Sequence, residues 1–373
     1  METNSASYRG CLLGMAVGDA MGATVDSKNY AKICETYGPA GLLGYDLVNG
    51  FASISSYTQV AGYTCNGLLL SISRGQLSST SAMRAVVQAL KEWARVQHLP
   101  RDPKKRVCWL SQVSTFRQRR CMDARTLDAM TREVLGTPEK PANMADGPGS
   151  LTAAIPVGLF FHPQRMQFHE IGKLGAQVVA LTHGDPMAFL SGAVLAYIIA
   201  ALIYDPESRI EEHFSQAAQA VHGQFGAQFP QTKTLCALLD QAITLSRKPE
   251  IPHWQAMEQL GCNNAGQVLA GAMYAVLAGN EDFDAATIIA VNHSGKSAAV
   301  GALTGAILGA KLGEEALPEF YLECLDSAQV LRELATDLFN ACPKGVRTRL
   351  FDDEWDRKYT HGQLAERTGW AEE

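Results

Sequence analysis

The chain has 373 residues, 47% of them hydrophobic, which is enough to bury a large core as one big domain or two ordinary ones. A net charge of −6 excludes a general attraction to nucleic acid or to an anionic membrane surface, so an anionic ligand needs a local site. Nine cysteines, an odd number with no C-x-x-C pair, argue against a disulfide framework or zinc ribbon and for reduced thiols in a cytoplasmic protein.

The opening Met1 to Ser7 is short and polar and does not read as a secretory signal. It leads into GCLLGMAVGDAMG, where glycines at 10, 14, 18 and 22 fall on one side of a helix. Each costs roughly 1 kcal/mol relative to alanine, so another backbone must come close enough to offset it. Asp26 follows this helix.

Apolar residues then recur at three- and four-residue spacing in Ser81–Val96, Thr126–Leu135, Phe168–Val179, Glu211–Gln224, Thr232–Leu245, Ala265–Leu277 and Leu331–Phe339, which predicts amphipathic helices. Alternating runs are nearly absent, so strands are few and the fold class is all-α. Breaks at Gly38-Pro39, Leu99–Pro103, Thr137–Pro148 and Pro249–His253 are not long linkers, which favours a single domain over residues 1–373. Between Arg101 and Arg120, Lys104, Lys105, Arg106, Arg117 and Arg119 surround Trp109; in an acidic chain this reads as a solvated surface. Ala188–Tyr204 carries no charge over about the length of a short membrane span, but Asp185 and Asp205 bound it closely, and a helix buried on all sides explains it better.

The second glycine row, at 301, 305 and 309, follows His293-Ser294-Gly295-Lys296-Ser297. Gly295-Lys296-Ser297 looks like the tail of a phosphate-binding loop, but the strict pattern needs glycine at Ala290 and a preceding strand. The two glycine helices are expected to lie together in the centre of the protein. Asp353, Glu354 and Asp356, with Asp352, read as a solvated C-terminal stretch.

Taken in order, RGCLLGMAVGDAMGATVD, SSYTQ, IPVGLFF, LTHGDP, AVNHSG with GALTGAILGA, and DEWDRKY resemble the ADP-ribosylglycohydrolase family over about Tyr8 to Tyr359. The resemblance implies a compact orthogonal helical domain with a central cleft. There, two magnesium or manganese ions meet an ADP-ribosylated substrate, typically a modified arginine. It also places Asp26, Ser55–Thr58, Gly147 and Gly149, His183, and His293 to Ser297 at the cleft. This chain departs from the family where the ions are held. The T-D-D-T motif is here Ser55, Ser56, Tyr57, Thr58, and the aspartates after N-H-S-G are Lys296 and Ala298. The glycine-rich substrate loop, here Ala145 to Gly149, lacks its lysine, and the arginine beyond it is replaced by Ala153.

Two adjacent divalent ions need several carboxylates, and magnesium accepts only near-octahedral oxygen ligands. Asp26 alone remains, and an ammonium at 4 Å from a divalent ion is repelled by roughly 8 kcal/mol at an effective dielectric near 20. The expectation is a pseudoenzyme without metal cofactors. It would bind an ADP-ribose-like small molecule or a protein partner, with no nucleic-acid or membrane partner. Lys296 would stand in for one metal charge, beside helix N–H groups open to an anion; otherwise it faces solvent while Ser294 or Ser297 caps the helix. Two alternatives remain: a metal-independent N-glycoside hydrolase or lyase using Asp26, and an interaction scaffold whose cleft has closed.

Overall fold

The computed structural model describes residues 4–76, 78–99, 106–120, 123–163, 165–341 and 353–363. Among them are eighteen α-helices, three short 3-10 turns and no strand; the only extended pairings are isolated bridges, Val48 with Phe51 and Ala52 with Leu325. The all-α class is as expected.

The two glycine rows form helices Ser5–Val25 and Ser297–Leu312, which run antiparallel through the centre. Gly10 faces Gly309, Gly14 faces Gly305, Gly18 faces Gly301, and Gly22 faces Ser297. A Cβ added at any of these glycines would fall well inside contact distance of a carbonyl on the opposite helix. Losing the side chains therefore lets the two backbones touch, and dispersion attraction along the seam offsets the low helix propensity.

Other helices wrap this pair. Ser56–Ser73 packs on Ser79–His98, and Phe168–Ala180 packs on Pro186–Tyr204 through Gly175 and Gly192. Pro186–Tyr204 is long and apolar enough to span a membrane, and most of it is buried inside the protein. One continuous hydrophobic core runs from Tyr8 to Tyr359.

Three local expectations change. The segment expected to be helical over Thr126–Leu135 is helical only over Ala124–Thr131, where apolar periodicity gives way to the exposed Glu133 and Val134. The acidic C-terminal stretch forms helix Asp353–Tyr359. Its acids Asp353, Glu354 and Asp356 are exposed, but its other face is docked: the buried Lys358 pairs with Glu333 and Asp337, and the Tyr359 hydroxyl donates to Asp337. Within the basic run, Trp109 is fully buried and Arg120 is clamped to Asp326 at 2.8 Å. Arg101, Lys104, Lys105, Asp352, Cys121 and Cys342 lie outside the described residues.

Candidate functional site

Helix Ser56–Ser73 begins at Ser55–Thr58, and its first turn is capped twice, by the Ser55 hydroxyl, which accepts the Tyr57 N–H at 3.2 Å, and by Asp19 on the first glycine helix. Ser55 is the residue before the helix and Thr58 lies in its first turn. Normally their side chains would satisfy each other's N–H groups. Instead both N–H groups donate to Asp19 Oδ2, at 2.9 and 3.1 Å, while the Ser55 and Thr58 hydroxyls donate to Asp19 at 2.5 and 2.6 Å. Asp19 sits in the middle of the first glycine helix and is fully buried. Burial pushes its carboxyl up to about 6, against four hydrogen bonds that favour the charged form. Sequence reading missed Asp19. The available signal was a charged residue inside a helix apolar on every side, which demands a buried partner. Ser56 and Tyr57 are also buried; Ser56 N–H donates to the Arg120 carbonyl, and the Tyr57 carbonyl accepts from Thr152.

The second cluster lies where the glycine helices end. Asp26 Oδ1 accepts the Ala298 N–H at 3.1 Å, so it caps the N-terminus of helix Ser297–Leu312. This corrects the expectation that Ser294 or Ser297 would cap it: the Ser294 hydroxyl accepts from Tyr30 N–H, and Ser297 donates to the His293 carbonyl. Asp26 also places one of the protein's own carboxylates at this helix terminus, where an anionic ligand was expected. Lys296 Nζ is 3.0 Å from the Ser27 hydroxyl and 3.9 Å from Asp26 Oδ2, with its side chain 37% exposed. Burial lifts the Asp26 carboxyl above its ordinary value, and Ala298, Lys296 and Ser27 offset this in part. Asp26→Ala is expected to lower stability by about 1 kcal/mol, as loss of a cap does, and Asp26→Asn by less; urea denaturation measures both.

His293 is 1% exposed, and both ring nitrogens are engaged, Nε2 donating to the Ala290 carbonyl and Nδ1 accepting from Gly295 N–H. Burial lowers its pKa to about 4. It therefore offers no ring nitrogen to a ligand. Gly295 packs directly against Cys262, which explains why no side chain is tolerated there.

A third cluster joins residues far apart in sequence. His183 is fully buried, with Nε2 at 2.8 Å from Asp123 Oδ2 and Nδ1 near the hydroxyls of Ser150 at 3.0 Å and Thr182 at 2.9 Å. A carboxylate only accepts, so Nε2 carries a proton toward Asp123, while Nδ1 lies within hydrogen-bond distance of both hydroxyls. Burial works to raise the Asp123 carboxyl, but His183, Arg125 N–H and Thr126 hold it below its ordinary value. Gly147 and Gly149 flank this pair: a Cβ at Gly149 would collide with the Asp123 carboxylate. Asp123, at the start of a short helix 60 residues from His183, gave no sequence signal of this role.

Backbone hydrogen bonds link the second and third clusters through the segment around Cys262 and Ala265. Lys296 N–H donates to the Cys262 carbonyl, and Ala265 N–H donates to the carbonyl of Asp146, beside Gly147. Ser55 and Ala124, the neighbour of Asp123, then line one open groove of about 600 Å³.

A family model described as ADP-ribosylglycohydrolase matches residues 2–347. An uncharacterized protein of Archaeoglobus fulgidus is 25% identical over 335 residues, covering 89% of this chain and 95% of that one. A solved structure titled ADP-ribosylglycohydrolase-related protein complex superposes with a TM-score of 0.57 at 22% identity, covering 91% of this chain and 98% of its own.

Proposed function

The chain belongs to the ADP-ribosylglycohydrolase family, and from that premise we propose that it binds an ADP-ribosyl or related nucleotide ligand in its cleft without metal-dependent hydrolysis. The observation that carries the metal-free part of this reading is the Lys296 ammonium 3.9 Å from Asp26, the one acidic residue that the resemblance places beside the family's ions. A pair of divalent ions does not fit the residues present. Asp26 is occupied as a helix cap, the Ser55 and Thr58 hydroxyls are turned to Asp19, and the Tyr57 ring is buried in the place of a metal-binding aspartate. Among the described residues no group of three His, Cys, Asp or Glu is spaced to hold an ion.

In EDTA, ADP-ribose is expected to raise the melting temperature, a ligand at 100 times its Kd adding about 2.7 kcal/mol. Added magnesium or manganese is expected to change neither the melting temperature nor the affinity. Stoichiometric binding of either metal, or metal-dependent release of ADP-ribose from ADP-ribosyl-arginine, overturns the proposal.

One observation favours a second reading, metal-independent cleavage of an N-glycosidic bond. Asp123 is an ionised carboxylate, 21% exposed and oriented by His183, and could stabilise a developing oxocarbenium ion where Asp26 is committed to capping. It lacks the second carboxylate of the usual glycosidase pair. Turnover in EDTA that Asp123→Asn abolishes would favour this reading over binding alone.

A further inference from the structure

We propose that the hollow between helices Ser79–His98 and Phe168–Ala180 is a docking trough for a protein partner, and that it takes an amphipathic helix with acidic residues on its polar face. None of the residues of the three clusters described above lines it, so the inference is independent of what the cleft binds.

The hollow, of about 830 Å³, has two helical walls. Along the first helix, Thr80, Met83, Arg84, Val87, Gln88 and Lys91 border it; along the second, Glu170, Lys173, Leu174 and Gln177 do. Residues three and four apart lie on one helix face, so each wall is a single stripe. Two such faces on either side of open space form the kind of groove in which an amphipathic helix lies, meeting them through its own residues at i, i+3, i+4 and i+7. The floor is apolar: Met83, Val87 and Met166 are half-buried, and Leu174 is buried. Methionine adapts its shape to what packs on it, so such a floor suits the side chains of a peptide. The stripe on the first helix continues through Ala94, Arg95 and His98, which with Gln88 and Lys91 border a further hollow of about 500 Å³. The same helix face therefore meets open space from Thr80 to His98, about 27 Å at 1.5 Å per residue.

Charge selects the partner. The chain carries −6 overall, yet Arg84, Lys91 and Lys173 border the first hollow, and Lys91, Arg95 and His98 the second. Arg84 and Lys173 are exposed and form no ion pair among the described residues. Lys91 donates to the neutral Arg132 carbonyl at 3.0 Å, and Arg95 is 3.7 Å from the buried Glu92. The one carboxylate among the described lining residues is Glu170, and it is already used: it accepts the Gln167 N–H at 2.8 Å in the capping box of its own helix. Cationic edges over an apolar floor complement a helix with an apolar stripe flanked by glutamate or aspartate. No Phe, Tyr or Trp is among the described lining residues, so the trough offers nucleic-acid bases no ring to stack on.

The test is fluorescence anisotropy with labelled helical peptides of about 18 residues, long enough to span about 27 Å. They share a leucine stripe and carry glutamate, lysine or glutamine on the polar face. The glutamate peptide is expected to bind even though the net charge of the protein repels it, to weaken with added salt, and to bind at least about tenfold more tightly than the other two. Arg84→Glu combined with Lys173→Glu is expected to weaken it at least about tenfold, and Met83→Ser about fivefold. Lys233→Glu combined with Lys248→Glu makes an equal charge change at residues that line neither hollow, and should leave binding within about twofold of wild type. Thermal unfolding verifies that each variant is folded. Failure of the glutamate peptide to bind, or equal weakening by the two charge-reversed proteins, overturns the proposal. So does tighter binding of an oligothymidylate than of any peptide, or a dimer in sedimentation that the Arg84 and Lys173 changes dissociate, which would put a second copy of the chain in the trough.

Discussion

Gly305→Ala is expected to destabilise the protein by about 2–3 kcal/mol, although in an exposed helix the same change stabilises by up to about 1 kcal/mol. The reason is the identity of what the new methyl group meets. At Gly305 it would strike the carbonyl oxygen and carbon of Gly14, which are backbone and cannot turn aside. Relief requires the two central helices to separate along their whole length, which opens gaps at Gly10, Gly18 and Gly22 as well. Gly223 is the control: it lies in helix Ile210–Phe225 with open space around its would-be Cβ, so Gly223→Ala should leave stability unchanged or raise it slightly. Urea denaturation of both variants decides the matter. A Gly305→Ala protein as stable as wild type would show that the seam is looser than its geometry indicates.

Asp19→Ala is expected to cost about 3–5 kcal/mol at neutral pH, because it leaves two N–H groups and two hydroxyls at the start of helix Ser56–Ser73 without an acceptor. Asp19→Asn should cost less, since the amide oxygen keeps part of the set. The same carboxylate gives a pH signature. Its folded value of about 6 lies above the ordinary carboxylate value, so between about pH 4 and 6 the folded state binds the proton more readily than the unfolded chain. Stability of the wild type relative to Asp19→Asn should therefore be greatest at and below about pH 4, fall as pH rises to about 6, and stay level above it. Parallel pH profiles for the two proteins would mean that the carboxyl titrates normally despite its burial.

Much of the site was visible as residue types before it was visible as an arrangement. The glycine rows announced a close helix pair because glycine at every fourth position has no other use in a helix interior. That Ser56, Tyr57, Lys296 and Ala298 stand where the resemblance implies aspartates was equally legible, since charge needs no coordinates to be read. What remained hidden were partners. Asp26 looked like a candidate base until the Ala298 N–H, 272 residues away, was found on its carboxylate. His183 had motif context, but its partner Asp123 had none. Arg119 and Arg120 were one basic run in sequence; only Asp326, 206 residues from Arg120, makes one a structural clamp and leaves the other at a cavity.

Most of the long helices and the glycine seam were legible in the chain alone, because periodicity and propensity are properties of neighbours along it, whereas short helices such as Asp353–Tyr359 were not. The tertiary structure alone decided which carboxylate caps which helix, which histidine is used up internally and which arginine faces the groove. Those assignments depend on desolvation and on hydrogen-bond partners that packing brings together from opposite ends of the chain.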